Sequence, residues 1–185
     1  MAKTIDYSFL TPDQIEFLKT QKSGYLTDNG ICPTCFDKFT GGAFYGDDSL
    51  QKVYEDEDLE VLFEGRPRAP GHMLISTKDH YHDKSEAPAK LNEKIVRFEA
   101  ELMRIIKKVY GCERVYGCTM CDGPENHYHT QLIPRYPEEE RGSENFVKKR
   151  YEYIYEPDKF EQVSKLIHEY AKKHEAKSNE PKQMD

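Results

Sequence analysis

Tryptophan is absent, no apolar run approaches the length of a membrane span, and the cysteine count is odd. The first absence leaves the core to 13 Tyr and 9 Phe, whose rings supply large buried surfaces. The second argues against a membrane helix, which needs about 20 consecutive apolar residues. The opening MAKTIDYSFL carries neither the apolar stretch nor the small-residue cleavage site of a secretory signal, so the expected address is cytoplasmic. Positive charge is also short: 27 Lys and Arg against 34 Asp and Glu leave a net charge of −7, which excludes non-specific nucleic-acid binding as a property of the whole chain. Five cysteines in a signal-less chain do not make a disulfide framework. They fall as Cys32 and Cys35, Cys118 and Cys121, and Cys112 alone, a paired spacing better suited to metal or redox chemistry. At 185 residues and 37% apolar composition the chain is one polar globular domain with some elaboration, against a norm of roughly 150 residues per domain.

Along the chain, Thr11 can cap a short helix in which Pro12 fits the first turn and Gln14 closes a capping box, ending near Lys22. Gly24 to Gly46 reads as a loop-rich segment holding the first cysteine pair. Strand-like runs follow at Leu50 to Tyr54 and Leu59 to Phe63, joined by a solvated acidic turn from Glu55 to Asp58. A rigid bend from Arg66 to Gly71 leads to a third strand, His72 to Thr77. Leu91, Ile95, Phe98, Leu102, Ile105 and Val109 step along one face of a long helix from Ala89 to Tyr110, closed by Gly111. Strands from Val115 to Met120 and His127 to Ile133 flank a turn over 122–125, and a last amphipathic helix runs from Pro157 to about Lys173. The order predicts an α+β class with a mostly antiparallel sheet.

The densest chemistry is His127-Tyr128-His129-Thr130-Gln131. Alternation on a strand puts His127, His129 and Gln131 on one face and Tyr128, Thr130 and Leu132 on the other. Three polar residues on one face need partners, and a neutral imidazole held in one tautomer can attack phosphorus while an amide stabilises the developing charge. Imidazole is also a common zinc ligand, so the two histidines would divide these roles. His82, His168 and His174 read as ordinary surface or core histidines.

These pieces in order resemble the histidine triad (HIT) superfamily. The resemblance spans Cys32 to Arg150 and rests on four features. They are Cys32-Pro33-Thr34-Cys35; Glu64 followed by the Pro70-Gly71-His72-Met73-Leu74-Ile75 strand; Thr77-Lys78-Asp79-His80; and H-x-H-x-Q at His127, His129 and Gln131 before Pro134-Arg135. Thr77 stands where Pro is usual, Glu64 where Asp is usual, and the glycine-rich G-x-S segment before His127 is missing. Gln131 in the third position resembles the branch containing galactose-1-phosphate uridylyltransferase and the dinucleoside tetraphosphate phosphorylases, whereas hydrolytic members end H-x-H-x-H.

The resemblance implies a HIT-like domain over 29–155, preceded by a helical extension at 1–28 and followed by a helix at 156–175 and a polar tail at 176–185. It implies that His129 is the nucleophile of a nucleotidyl transfer or phosphorolysis on a nucleotide or nucleotide-sugar, with Gln131 on the phosphoryl oxygens. Hydrolysis of a nucleotide anhydride and a non-catalytic nucleotide-binding module are the alternatives. It further implies a structural zinc on Cys32, Cys35, His80 and His127, and a homodimer. Cys118 and Cys121 repeat the spacing and leave an all-cysteine site open, although on a strand they point to opposite faces. For substrate contacts the match points to Glu64 on ribose, with Asn126, Arg135 and Arg66 near phosphate. The basic stretch Arg141 to Arg150 is either a solvated face or a cover for an anionic substrate.

Overall fold

Thr11 begins the ordered pattern as expected. Its side chain accepts the Gln14 N–H while the Gln14 side chain accepts the Thr11 N–H, and this reciprocal cap opens α1 (Pro12–Lys19). The computed structural model describes residues 4–121 and 123–178, the side chains of 175–178 excepted. Two more helices, α2 (Ser23–Asp28) and α3 (Pro33–Phe39), occupy the segment expected to be loop. Six or seven residues have too little periodicity to announce a helix. Burial stabilises them: Tyr7, Leu18, Leu26, Ile31 and Phe36 form a small core of their own around Cys32 and Cys35.

The main body is a five-stranded antiparallel sheet in the order β1 (Lys52–Glu55), β2 (Leu59–Phe63), β3 (Met73–Thr77), β5 (His129–Arg135), β4 (Arg114–Cys118). β3 and β5 are central, so Gln131 lies between Leu74 on one side and Cys118 on the other. One face is apolar: Leu59, Val61, Phe63, Met73, Ile75, Tyr128 and Leu132 are buried against α4 (Ala89–Tyr110) and α6 (Pro157–Ser178). Each fully buried side chain of this kind contributes about 1.5–3 kcal/mol. α4 has the expected bounds, buries Leu91, Ile95, Phe98, Leu102 and Ile105, and ends on Gly111 at φ +69°. The fold is therefore α+β, with helical extensions at both ends of the sheet domain.

Some local expectations give way. The acidic hairpin tip is not merely solvated, because Asp56 and Asp58 clasp Lys94 of α4 at 3.0 and 2.6 Å and so dock the hairpin on the helix. A short α5 (Glu144–Val147) interrupts the expected irregular stretch. α6 runs through Ser178, so the polar tail does not start at 176. Asp122 of the expected turn and residues 179–185 of the expected tail lie outside the described residues. Among the described residues no helix is long and apolar enough to cross a membrane.

The loop from Glu64 to His72 joins β2 to β3 and frames the functional face. Glu64 N–H donates to the His72 carbonyl at 3.0 Å, closing it. Gly71, at φ +74°, is needed there twice over. An added Cβ would enter the left-handed region and come within 2.8 Å of the Tyr110 ring.

Candidate active site and metal centre

Cys32 is the N-cap of α3, and its Sγ accepts the Cys35 N–H at 3.5 Å, so the first helical turn brings residues i and i+3 together. Two histidines meet them because β3 and the approach to β5 are stitched together. Thr77 N–H donates to the Tyr128 carbonyl at 3.1 Å and Tyr128 N–H to the Tyr81 carbonyl at 2.7 Å, which leaves the His80 and His127 rings 5.4 Å apart. His127 Nδ1 is 3.5 Å from both Cys sulfurs, and His80 Nδ1 is 3.5 Å from Cys35 Sγ. His127 Nε2–H donates to the Thr77 carbonyl at 2.8 Å, so the Nδ1 lone pair faces the thiols.

All four donor atoms lie within 4.8 Å of one another in a largely buried cluster. A tetrahedral zinc at its usual bond lengths to sulfur and imidazole nitrogen sets S···N edges of about 3.5–3.6 Å, which matches the spacing found. Hydrogen bonding from Cys32, joined by His127 and His80, holds the Cys35 thiol well below its ordinary pKa against the opposing effect of burial. The bond to Cys35 and burial push Cys32 upward. Outside the cluster, Glu125 lies 3.8 Å from His80 Nε2 and 3.5 Å from His82 Nε2, ionic contacts that leave His80 Nε2 buried without a hydrogen bond.

His129, the first residue of β5, donates from Nδ1 to the His127 carbonyl at 2.8 Å. That bond fixes the tautomer and leaves Nε2 as a lone pair, with the Gln131 amide 3.5 Å away. Behind them His72 is 1% exposed, faces Gln131, and accepts the Arg68 N–H on Nδ1 at 3.1 Å. Burial, reinforced by the Arg150 and Arg68 guanidiniums, pushes its pKa down to about 3 and keeps it neutral. At the end of β2, Glu64 accepts the Arg66 N–H at 3.0 Å and pairs with Arg150 at 3.3 Å. One wall therefore combines an oriented imidazole, an amide and two guanidiniums beside a metal-competent cluster.

Residues 47–138 match the family model for the HIT domain. The chain belongs to the histidine triad (HIT) superfamily. An uncharacterized HIT-like protein of Chlamydia muridarum is 26% identical over 120 residues, covering 62% of this chain and 91% of that protein. Among solved structures, a zinc-bound histidine triad family protein from Mycobacterium smegmatis superposes with a TM-score of 0.50 at 18% identity, covering 74% of this chain and 91% of that one. A HIT-like protein from Bartonella henselae gives a TM-score of 0.49 at 18% identity over 62% of this chain and 85% of its own. The HIT match is narrower than the span Cys32 to Arg150, so the cysteine pair and Arg150 lie outside it.

The expected site residues divide. Cys32, Cys35, His80 and His127 come together, as do His129 and Gln131, with Glu64 and Arg66 at the neighbouring loop. Arg135 does not join them. It lies six residues along β5 from His129, roughly 20 Å of extended chain, and its buried guanidinium is held by Glu113 at 2.7 Å and the Glu139 carbonyl at 3.0 Å. Asn126 donates to the His82 carbonyl at 2.9 Å and serves the loop. Cys118 and Cys121 are absent from the donor clusters found among the described residues. Three residues carry more of the site than sequence reading assigned them. His72 stood within the Pro70-Gly71-His72 motif without a role, Arg68 lies in the bend just before it, and Arg150 closes the basic stretch read as either a solvated face or a cover for an anionic substrate.

Proposed function

We propose that this chain is a nucleotidyltransferase or phosphorylase of the HIT superfamily, acting on a nucleoside phosphate ester or anhydride such as a nucleotide-sugar or dinucleoside polyphosphate. One observation carries the reading. The His129 Nδ1–H bond to the His127 carbonyl leaves Nε2 as the free nucleophile, with an amide rather than a third imidazole beside it. His129 Nε2 attacks the α-phosphorus; the P–N bond forms as the P–O bond to the leaving group breaks, and the leaving oxygen departs with that electron pair. An acceptor oxyanion then attacks the same phosphorus and returns the P–N pair to Nε2. Gln131 donates to the phosphoryl oxygens but cannot deliver a proton, which favours a leaving group that needs none, such as a phosphate.

Cys32, Cys35, His80 and His127 would hold zinc, whose contribution when bound is structural: it ties α3 to the ends of β3 and β5. His127 is thereby occupied through Nδ1 and His129 left free. Glu64 keeps a ribose role, since a carboxylate has about four lone-pair sites and, among the described residues, Arg66 N–H and Arg150 engage two of them. A homodimer belongs to the same reading, and β4, bonded only to β5 among the described strands, offers an edge for it. Size-exclusion chromatography with light scattering tests that point.

The activity is tested with labelled nucleotide-sugars and dinucleoside polyphosphates, with and without phosphate. Acid-labile label on protein that is lost in His129→Ala, with phosphate-dependent turnover, is the expected result. Phosphate-independent release of mononucleotide assigns hydrolysis instead. Nucleotide binding without label or turnover leaves a binding module.

A further inference from the structure

Arg68 and Arg150 reach the active face from different parts of the chain. Arg68 belongs to the loop between β2 and β3; Arg150 follows α5 and lies beyond the residues that match the HIT model. The two segments are laced together. Tyr151 N–H donates to the Pro67 carbonyl and Tyr153 N–H to the Gly65 carbonyl, both at 3.1 Å. Arg68 Nη1 donates to the Lys148 carbonyl and Arg150 Nη1 to the Arg66 carbonyl, both at 2.7 Å. Residues 148–153 thus run beside residues 65–68 as an added strap, a long-range arrangement that does more than shield a solvated basic run.

The charge at this junction does not balance. Glu64 pairs with Arg150, yet no carboxylate pairs with Arg68 among the described residues, and Arg68 Nε is buried without a hydrogen bond. A buried donor on a charged group needs an acceptor. His72 is neutral, and the carboxylate that acts on Arg68 is Glu64, which is already paired with Arg150, while both arginines act on Cys118. Cys118 is the β4 partner of Gln131, so the excess positive charge sits on the Gln131 side of His129, opposite the metal cluster.

We propose that Arg68 and Arg150 form a subsite for the second anionic group of the reaction, the leaving or accepting phosphate, and so select substrates whose α-phosphate is joined to another phosphate. The inference deepens the nucleotidyl-transfer reading and rests on it for the placement of the α-phosphate at His129. Guanidinium suits the task, since its planar fork meets phosphate oxygens with two parallel bonds. The neutral His72 supports it by accepting the Arg68 N–H rather than adding a competing charge.

Calorimetric titration of the full zinc-loaded chain with inorganic pyrophosphate, AMP and ADP tests the subsite. Pyrophosphate binds the wild type and weakens by about tenfold or more in Arg150→Gln, as expected for loss of a charged hydrogen bond. ADP binds more tightly than AMP in the wild type. That preference collapses in the variant, the loss for ADP exceeding any loss for AMP by about fivefold or more, and Arg150→Lys restores part of it. Arg68→Gln follows the same pattern; if it fails to fold, the part-exposed Arg150 decides alone. Unchanged pyrophosphate affinity in Arg150→Gln, or an equal loss for AMP, overturns the proposal. Pyrophosphate binding that Arg150→Gln removes, without AMP binding to the wild type, supports the subsite and defeats the nucleotide reading. AMP binding with no preference for ADP does the reverse.

Discussion

The two faces of β5 come from alternate residues of one strand and answer to opposite demands. Tyr128, Thr130 and Leu132 turn toward α4 and are almost wholly buried, whereas His129 and Gln131 turn to the face that carries His72 and Glu64. On the first face, burial itself is the purpose and shape complementarity sets the energy. On the second, polar groups are buried at a cost, and the three imidazoles are each held in one orientation by a named bond: His129 by the His127 carbonyl, His127 by the Thr77 carbonyl, His72 by the Arg68 N–H. Neighbouring positions in sequence should therefore fail in different ways when altered.

The largest effect is expected at His129. Replacement by Ala lowers turnover by about 10³-fold or more and leaves the thermal midpoint close to wild type, because no apolar packing is lost. A large fall in the midpoint would show that the polar face also carries the fold. Cys35→Ser comes next. Metal analysis should show less than about half a zinc per chain, and chemical unfolding a loss of several kcal/mol, because metal-binding energy is folding energy. The same analysis on Cys118→Ser should show no change in zinc. Leu132→Ala, one residue from Gln131, should cost about 2–5 kcal/mol in urea unfolding, with kcat per folded molecule within about twofold of wild type.

The smallest effect sharpens the comparison through pH. The unfolded chain protonates a histidine near pH 6.5, while buried His72 refuses the proton until about pH 3. The unfolded state therefore binds more protons in this interval. Stability from this group is complete above about pH 6.5 and declines as pH falls, by about 1.4 kcal/mol per unit. Arg68, Arg150 and His129 face the ring and all oppose its protonation. Unfolding at pH 6.5 and 5.5 should show a wild-type loss larger by about 1 kcal/mol than that of His72→Gln. Equal losses would place the acid sensitivity elsewhere.

The cysteines show why part of the site could be read early. Cys32-Pro33-Thr34-Cys35 works because a helix N-terminus sets residues i and i+3 side by side. Cys118 and Cys121 have the same spacing, but the first ends a strand, where that geometry is lost. Such outcomes follow from local periodicity, as do the α4 bounds and the shared strand face of His129 and Gln131. Arg135 misled because its proximity to Gln131 in sequence says nothing about Glu113, which meets it only across the β4–β5 pairing. The short helices α2 and α3 escaped because tertiary burial around Tyr7 and Phe36, rather than propensity, holds them.

Spacings of two, three and four residues were enough to define the α+β class, the long helix, the first thiol pair and the alternation that aligns the histidine motif. Each depends on backbone geometry within one element, which the order of residues dictates directly. Tertiary structure decided what those elements face. It brought His80 to the thiols, set His72 behind Gln131, diverted Arg135 to Glu113 and carried Arg150 across to Glu64. Those contacts depend on sheet register and on how distant segments close over one another, quantities that no local spacing contains.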